Sequence, residues 1–171
     1  MTRTRTAPSG RPVAALDVDG VVVLEHPEVP VERHSVSAYG RWRRQVLVPR
    51  VAPARLARLS ELFDCVWVSA WSHTAHPALR EALGLPEKEW PWMGAQFDKL
   101  PAIRDFAAGR PWVWIDEGID DLGAWPDPPD GLLARVRPGH GLADVDPEEL
   151  FDKLRSGAYG AADLPASPSA Y

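Results

Sequence analysis

The sequence is poor in cysteine, poor in lysine and without any long hydrophobic run. A single cysteine, Cys65, excludes an internal disulfide framework and is typical of proteins from a reducing compartment. No stretch approaches about 18 consecutive apolar residues, so the sequence predicts no membrane-spanning helix and no membrane partner. The formal net charge of −5 argues against a protein that coats nucleic acid non-specifically. We therefore expect a cytoplasmic protein.

Length and composition predict one folded domain with flexible ends. A chain of 171 residues, 45% of them hydrophobic, is long enough to bury roughly 70% of its unfolded surface. We expect a flexible leader over residues 1–11, one domain over residues 12–157, and a flexible tail, rich in Ala, Gly, Pro and Ser, over residues 158–171. Within the domain, residues 21–50 are expected to form a small flap, too short to be a large cap domain.

The domain alternates short apolar runs with amphipathic segments, which predicts a doubly wound, Rossmann-like parallel sheet of the α/β class. The flap is expected to be a β-hairpin that pairs Val21–Leu24 with Arg44–Val48 over the end of the first strand. A proline at the start and an acidic first turn predict the last helix, which Asp146 begins. The other expected strands are the run from Val13, Cys65–Val68, Trp90–Met93, Pro111–Ile115 and Leu132–Val136, and the other expected helices are Pro53–Phe63, one through Ala78–Leu83, and Phe97–Ala108.

Two closely spaced carboxylates, Asp17 and Asp19, follow the first apolar run, and Gly20 allows the chain to turn sharply after them. Carboxylates this close repel one another unless a cation or a shared proton relieves them. In open α/β sheets, reactive groups collect beyond the carboxyl ends of the strands. The alternative is that Asp-Gly marks a tight turn that leads into a hairpin.

Polar residues also follow two later strands. Ser69 comes directly after the second predicted strand, Asp116 and Glu117 come after another, and Lys99 lies near the start of the helix that precedes the acidic pair. Carboxylates at one sheet edge suit Mg²⁺, which prefers oxygen ligands, whereas a hydroxyl and an ammonium suit phosphate oxygens. The order of residues therefore indicates a phosphoryl-transfer site. The alternatives are that Ser69 caps the following helix and that Lys99 is a solvated helix residue.

The order Asp-x-Asp-Gly-Val, serine, lysine and acidic pair resembles the haloacid dehalogenase-like (HAD) superfamily over roughly residues 12–156. Four segments look more closely like the small HAD domains associated with Swiss-army-knife RNA-repair proteins: Val66-Trp-Val-Ser-Ala-Trp71, Leu83-Gly-Leu-Pro86, Val113-Trp-Ile-Asp-Glu117 and Pro138-Gly-His-Gly-Leu142. The resemblance implies the HAD-like form of the doubly wound sheet, with no large cap domain.

The resemblance also implies a role for each motif residue. Asp17 would be the nucleophile that accepts the phosphoryl group as an aspartyl-phosphate, and Asp19 the general acid and base. Ser69 and Lys99 would hold the phosphoryl oxygens. Mg²⁺ would be bound by a carboxylate oxygen of Asp17, the backbone carbonyl of Asp19 and the carboxylate of Asp116.

The chain departs from the family pattern at the second acid of the last motif. The family usually has an aspartate where this chain has Glu117, so that Glu117, Asp120 or Asp121 would complete the metal site. For substrate binding, the candidate residues outside the catalytic set lie beside these motifs and in the basic flap. They are Gly20, Ala70, Trp71 and Arg43.

The sequence therefore predicts a Mg²⁺-dependent phosphatase whose phosphorylated substrate is a nucleotide or a nucleic-acid end. A small flap leaves an open site, which a partner protein or a second subunit could complete. The alternative is a non-catalytic module that keeps the HAD fold and binds phosphate or nucleic acid. A phospho-accepting receiver domain is disfavoured because its lysine comes last, whereas Lys99 precedes Asp116.

Overall fold

A computed structural model describes residues 10–94, 98–119 and 128–157 of the chain. None of the helices in these ranges is long and apolar enough to cross a membrane. The strands are β1 (Val13–Leu16), β2 (Val31–Val36), β3 (Arg44–Pro49), β4 (Asp64–Val68), β5 (Trp92–Met93), β6 (Trp112–Asp116) and β7 (Gly131–Arg135), and the helices are α1 (Ala52–Leu62), α2 (Ala75–Leu83), α3 (Lys99–Ala107) and α4 (Pro147–Ser156).

Five strands form one sheet in the order β5-β4-β1-β6-β7, and each neighbouring pair is parallel. The chain leaves β1 toward β4 and β5 on one side and then crosses to β6 and β7 on the other. The strand order therefore reverses between β1 and β6, which creates a crevice beyond their carboxyl ends. The α/β class with a parallel sheet is confirmed, and the arrangement is compatible with a Rossmann-like fold.

Helices cover both faces of the sheet. Alternate side chains of β1 point to opposite faces: Ala14 and Leu16 pack in one core cluster with residues of α1, α2 and α4. Val13 and Ala15 pack in a second cluster with residues of α3. All four residues are fully buried. Burial on both faces explains why this strand is a continuous apolar run and does not alternate.

The predicted flap is a β-hairpin, but the prediction of its first strand is wrong. β2 (Val31–Val36), not Val21–Leu24, pairs antiparallel with β3, from Val31 opposite Pro49 to Val36 opposite Arg44. Val21–Leu24 is instead buried around a tight turn, with isolated bridges from Val23 to Asp19 and from Leu24 to Leu47. The backbone N–H groups of residues 21, 22 and 23 all donate to the Val18 carbonyl, which holds this segment against the core.

Most other boundaries agree with the predictions to within a few residues. The Asp146 side chain accepts a hydrogen bond from the Glu149 N–H at 3.1 Å and caps α4 as expected. The helix expected over Phe97–Ala108 begins at Lys99 in the described part of the chain. Its last turn ends at Ala108, which has a φ of +51° and directly precedes Gly109.

The described residues include only the end of the predicted leader. Arg11 is anchored, because its guanidinium donates to the carbonyls of Ser60 and Phe63 at the end of α1, at 2.6 and 3.0 Å. Residues 1–9 and the predicted tail, residues 158–171, lie outside the described ranges.

Candidate active site

Asp17 stands at the crevice because β1 ends at Leu16, in the middle of the sheet. Its backbone N–H donates to the Ile115 carbonyl at 3.2 Å, which fixes Asp17 beside the end of β6. Its carboxylate oxygen Oδ1 accepts a hydrogen bond from the Val18 N–H at 2.7 Å. The second oxygen, Oδ2, faces the neighbouring strand end.

Lys99 joins the acids that end β1 and β6. Its Nζ lies 3.1 Å from Asp17 Oδ2 and 2.8 Å from Asp116 Oδ2, although the three residues come from different elements. Lys99 is the first residue of α3 and is only 5% exposed. A lysine this deeply buried requires anionic partners. The ion pairs with both acids argue against the solvated helix residue that was the alternative for Lys99.

Asp116 is held in a network of donors. Its Oδ2 accepts from the Trp114 indole Nε1 at 3.2 Å as well as from Lys99, and its Oδ1 accepts from the Gly118 N–H at 3.0 Å. Trp114 and Asp116 lie two residues apart in β6 and thus on the same face of the sheet. These bonds fix the carboxylate orientation before any ligand binds.

Burial and the nearby Asp116 carboxylate raise the pKa of Asp17 from 3.8 to about 6. Lys99 and the Val18 N–H act in the opposite direction, but they do not cancel the cost of burying the charge. Lys99 therefore only partly offsets the cost of an ionised Asp17 beside Asp116. An additional cation placed beside this carboxylate would stabilise its charged form.

Ser69 follows β4, the strand on the other side of β1. It is 1% exposed, and its backbone N–H donates to the Met93 carbonyl of β5 at 3.2 Å. Its Oγ accepts from the Trp71 N–H at 3.2 Å and supports the turn after β4. It does not cap α2, which begins six residues later at Ala75 after Thr74, so the capping alternative is wrong. The hydroxyl hydrogen is left to donate to a further acceptor.

Asp19 is the exposed acid of the pair, with 56% of its side chain accessible. The indole Nε1 of Trp71 donates to Asp19 Oδ2 at 3.1 Å. From the hairpin, an Arg44 nitrogen lies 3.8 Å from Asp19 Oδ1, and the Arg44 guanidinium sits 4.9 Å from the centre of the Trp71 ring. Trp71 therefore lies beside Asp19 and orients it, and its role in substrate binding stays a prediction.

The basic residue that reaches the site from the flap is Arg44 and not the predicted Arg43. Arg44 begins β3, whereas Arg43 lies in a surface depression between the hairpin and α2, together with Arg80 and Glu81. Ala70 is exposed beside Ser69, and its side chain offers no polar group. Asp120 and Asp121, the alternative second acids, lie outside the described residues.

Gly20 and Glu117 fit each other closely. Gly20 has a φ of +81°, and a Cβ at this position would overlap with the Glu117 carboxyl group. Burial raises the pKa of Glu117, and the nearby Asp116, Asp19 and Glu25 carboxylates raise it further. Glu117 thus lies with its acidic neighbours at the mouth of the site.

Within the described ranges, no group of three or more His, Cys, Asp or Glu side chains has the geometry of a metal site. The donors implied for Mg²⁺ are two carboxylates and one backbone carbonyl, and Mg²⁺ is commonly bound through one or two carboxylates with waters and phosphate oxygens. The excess negative charge at Asp17 and Glu117 fits such a cation. The residues present therefore match the chemistry of the metal without forming a complete cage.

Sequence reasoning missed three contributors to the site: Arg44 as the flap cation, Trp114 as a donor to Asp116, and Glu25 as an additional acid. The two-residue spacing of Trp114 and Asp116 in one strand is a signal that could have revealed the second of these. Neither of the other two contacts has a local pattern in the sequence, because both depend on how the flap folds over the strand ends.

Comparisons of the chain with protein-family models, with curated proteins and with solved structures found no match. The candidate site is therefore defined by its own geometry: an acid at the end of β1, a second acid at the end of β6, and one lysine between them.

Proposed function

We propose that the protein is a HAD-like, Mg²⁺-dependent phosphatase that acts on phosphate monoesters through an aspartyl-phosphate. The observation that carries the proposal is the contact of Lys99 with both Asp17 and Asp116 at the crevice where the strand order reverses. The family-level part of the proposal is supported by the agreement between this geometry and the motif order of the sequence.

Asp17 would attack the phosphorus atom with a carboxylate oxygen. The new oxygen–phosphorus bond forms as the bond to the leaving alkoxide breaks, and Asp19 donates a proton to that alkoxide. Asp19 then removes a proton from a water molecule that attacks the aspartyl-phosphate, which releases inorganic phosphate and regenerates Asp17. Because Asp19 is half-exposed and held by Trp71, it can face both a leaving group and solvent.

Lys99 and Ser69 would stabilise the phosphoryl group during transfer. The ammonium of Lys99 lies against the nucleophile and offsets the charge that accumulates when a carboxylate approaches a phosphate dianion. The Ser69 hydroxyl has a hydrogen that it can donate to a phosphoryl oxygen. These are contributions of position and charge, which dominate catalysis of phosphoryl transfer.

Mg²⁺ would be held by the carboxylates of Asp17 and Asp116 and by the Asp19 backbone carbonyl, with Glu117 as the nearby additional acid. When bound, it would neutralise negative charge on the phosphate and on the acids. Burial, and after it the neighbouring carboxylates, raise the pKa of Asp17 and of Glu117, and a bound cation would offset both effects, which supports this assignment.

Hydrolysis of a generic aryl phosphate tests the proposal. We expect wild-type turnover that requires Mg²⁺ and is lost on chelation, and a reduction of at least about 10³-fold in Asp17→Asn. Asp105→Asn, which changes an exposed aspartate of α3, is the matched control and should leave turnover unchanged. Equal rates for wild type and Asp17→Asn would reject the mechanism. Binding of phosphate without turnover in the wild type would instead favour the non-catalytic module.

A further inference from the structure

A row of aromatic rings lies on the surface beside the candidate site. Tyr39, at the tip of the hairpin, stacks on His73 with ring centroids 6.3 Å apart and planes 22° apart. His73 in turn lies 5.7 Å from Trp92 of the edge strand β5. Tyr39 is 59% exposed and Trp92 is 46% exposed, and they are two of the three large hydrophobic residues that are exposed in the described ranges.

The backbone holds this row in an uncommon conformation. Among the described residues, three that are not glycine have positive φ, and two of them, Tyr39 (+55°) and Ser72 (+55°), form or adjoin the row. Such conformations are unfavourable for a bulky residue and are concentrated at functional sites. The tyrosine hydroxyl also donates to the His73 carbonyl at 3.5 Å, which ties the hairpin tip to the loop after β4.

The hairpin that carries Tyr39 is basic, although the protein as a whole is acidic. Residues 31–50 contain five arginines against one glutamate, a net charge of +4, whereas the whole chain has a net charge of −5. Arg44 extends from this hairpin over the Trp71 ring, and Trp42 meets the same ring at 5.9 Å between centroids. The hairpin thus brings positive charge to the Trp71 side of the site, and the same hairpin carries the exposed ring of Tyr39.

The loop after β4 and the strand β5, which carry His73 and Trp92 of the row, also carry residues that contact the site. Trp71, which donates to Asp19, is separated from His73 only by Ser72. Trp92 is next to Met93, whose carbonyl accepts the Ser69 N–H. A ligand that lay along the row would thus end beside the proposed general acid and the proposed phosphate-binding serine.

We propose that Tyr39, His73 and Trp92 form a stacking platform for the bases of a single-stranded nucleic acid. Exposed rings stack with unpaired bases, and an adjacent basic surface follows the phosphate backbone. A duplex keeps its bases paired and stacked inside, so it cannot use the platform in this way. The inference deepens the proposed function and rests on it, since a strand held here presents its terminal phosphate to Asp17.

Equilibrium binding of a labelled oligothymidylate of about eight nucleotides, with hydroxyl groups at both ends, tests the platform apart from catalysis. Fluorescence anisotropy at low and moderate salt should show binding that salt weakens. Tyr39→Ala and Trp92→Ala should each raise the Kd about 5- to 150-fold, as expected from the loss of one stacked base. Tyr39→Phe should keep the wild-type Kd, because the ring remains.

Val51→Ala is the matched control. Val51 is the third exposed large hydrophobic residue in the described ranges and lies at the other end of the hairpin, so its loss should leave the Kd unchanged. The proposal is overturned if the oligonucleotide does not bind at low salt, or if Tyr39→Ala and Trp92→Ala bind it as tightly as wild type. It is also overturned if a duplex of the same length binds better, or if inorganic polyphosphate, which has no bases, competes equally well.

The oligonucleotide carries no phosphate monoester, so its binding does not depend on turnover. Loss of aryl phosphate hydrolysis with intact, ring-dependent binding would reject the phosphatase and leave the platform. Hydrolysis without oligonucleotide binding would reject the platform and leave the phosphatase.

Discussion

Replacing Asp17 with asparagine should make the metal-free protein more stable, although it removes the proposed nucleophile. Only 16% of the Asp17 side chain is exposed, and burial together with Asp116 raises its pKa from 3.8 to about 6. An acid with a raised pKa binds its proton more tightly in the folded state than in the unfolded state. Stability is therefore lost as the pH rises from 3.8 to about 6, and it is not regained at higher pH.

The size of the effect follows from the difference in pKa. A rise from 3.8 to about 6 corresponds to about 3 kcal/mol of unfolding free energy, since each pKa unit is worth about 1.4 kcal/mol. Asparagine removes the charge but keeps an oxygen that can accept the Val18 N–H, and Lys99 retains its 2.8 Å contact with Asp116. We expect the unfolding free energy of Asp17→Asn to exceed that of wild type by about 3 kcal/mol at pH 8 and by about half of that at pH 5.

Urea denaturation with a chelator present, at pH 5 and pH 8, measures this difference. Asp105→Asn, on the exposed side of α3, should differ from wild type by less than about 0.5 kcal/mol at both pH values. Adding Mg²⁺ should stabilise the wild type more than Asp17→Asn, because a ligand stabilises the folded state to which it binds. An Asp17→Asn protein that is no more stable than wild type at pH 8, or whose advantage does not grow with pH, would refute the reasoning.

Three further substitutions test individual contacts of the fold and the site by urea denaturation. Lys99→Met leaves two acids facing each other without their shared cation and should cost about 3–5 kcal/mol at pH 8, with a smaller loss at pH 5; a loss below about 1 kcal/mol would contradict the bridging role. Gly20→Ala should cost more than about 1 kcal/mol, chiefly because φ is +81°, and the new methyl group would also displace the Glu117 carboxyl group. Adding Glu117→Ala should recover only a small part of that loss, and full recovery would argue against backbone strain as its main cause. Asp146→Ala should cost about 1 kcal/mol through loss of the α4 cap, whereas Asp152→Ala on the exposed side of α4 should have little effect; equal losses would exclude capping as the cause.

The sheet could be predicted from the sequence because a strand that is buried on both faces is recognisable from its own residues. β1, β4 and β6 are buried on both faces, so each is a short and nearly continuous apolar run that ends at a polar residue. The residues that cap α2 and α4 are also adjacent in sequence to these helices. Gly84 adopts the left-handed conformation after α2, and Asp146 accepts a hydrogen bond from the first turn of α4.

The flap could not be predicted to the same extent because strand pairing joins residues that are distant in sequence. Val21–Leu24 has a stronger strand composition than Val31–Val36, yet it turns around the Val18 carbonyl and fills the core. The second strand of the flap, Arg44–Pro49, begins where the prediction had it, but it pairs with Val31–Val36.

The sequence by itself determined that acids end the first and fourth strands of the parallel sheet and that one lysine begins the helix between them. Only the tertiary structure decided that Lys99 contacts both acids, that Arg44 and not Arg43 reaches Asp19, and that burial raises the pKa of Asp17. The physical reason is that a pattern along the chain reports the surroundings of each segment, whereas electrostatic interactions depend on distances and burial set by segments far apart in sequence.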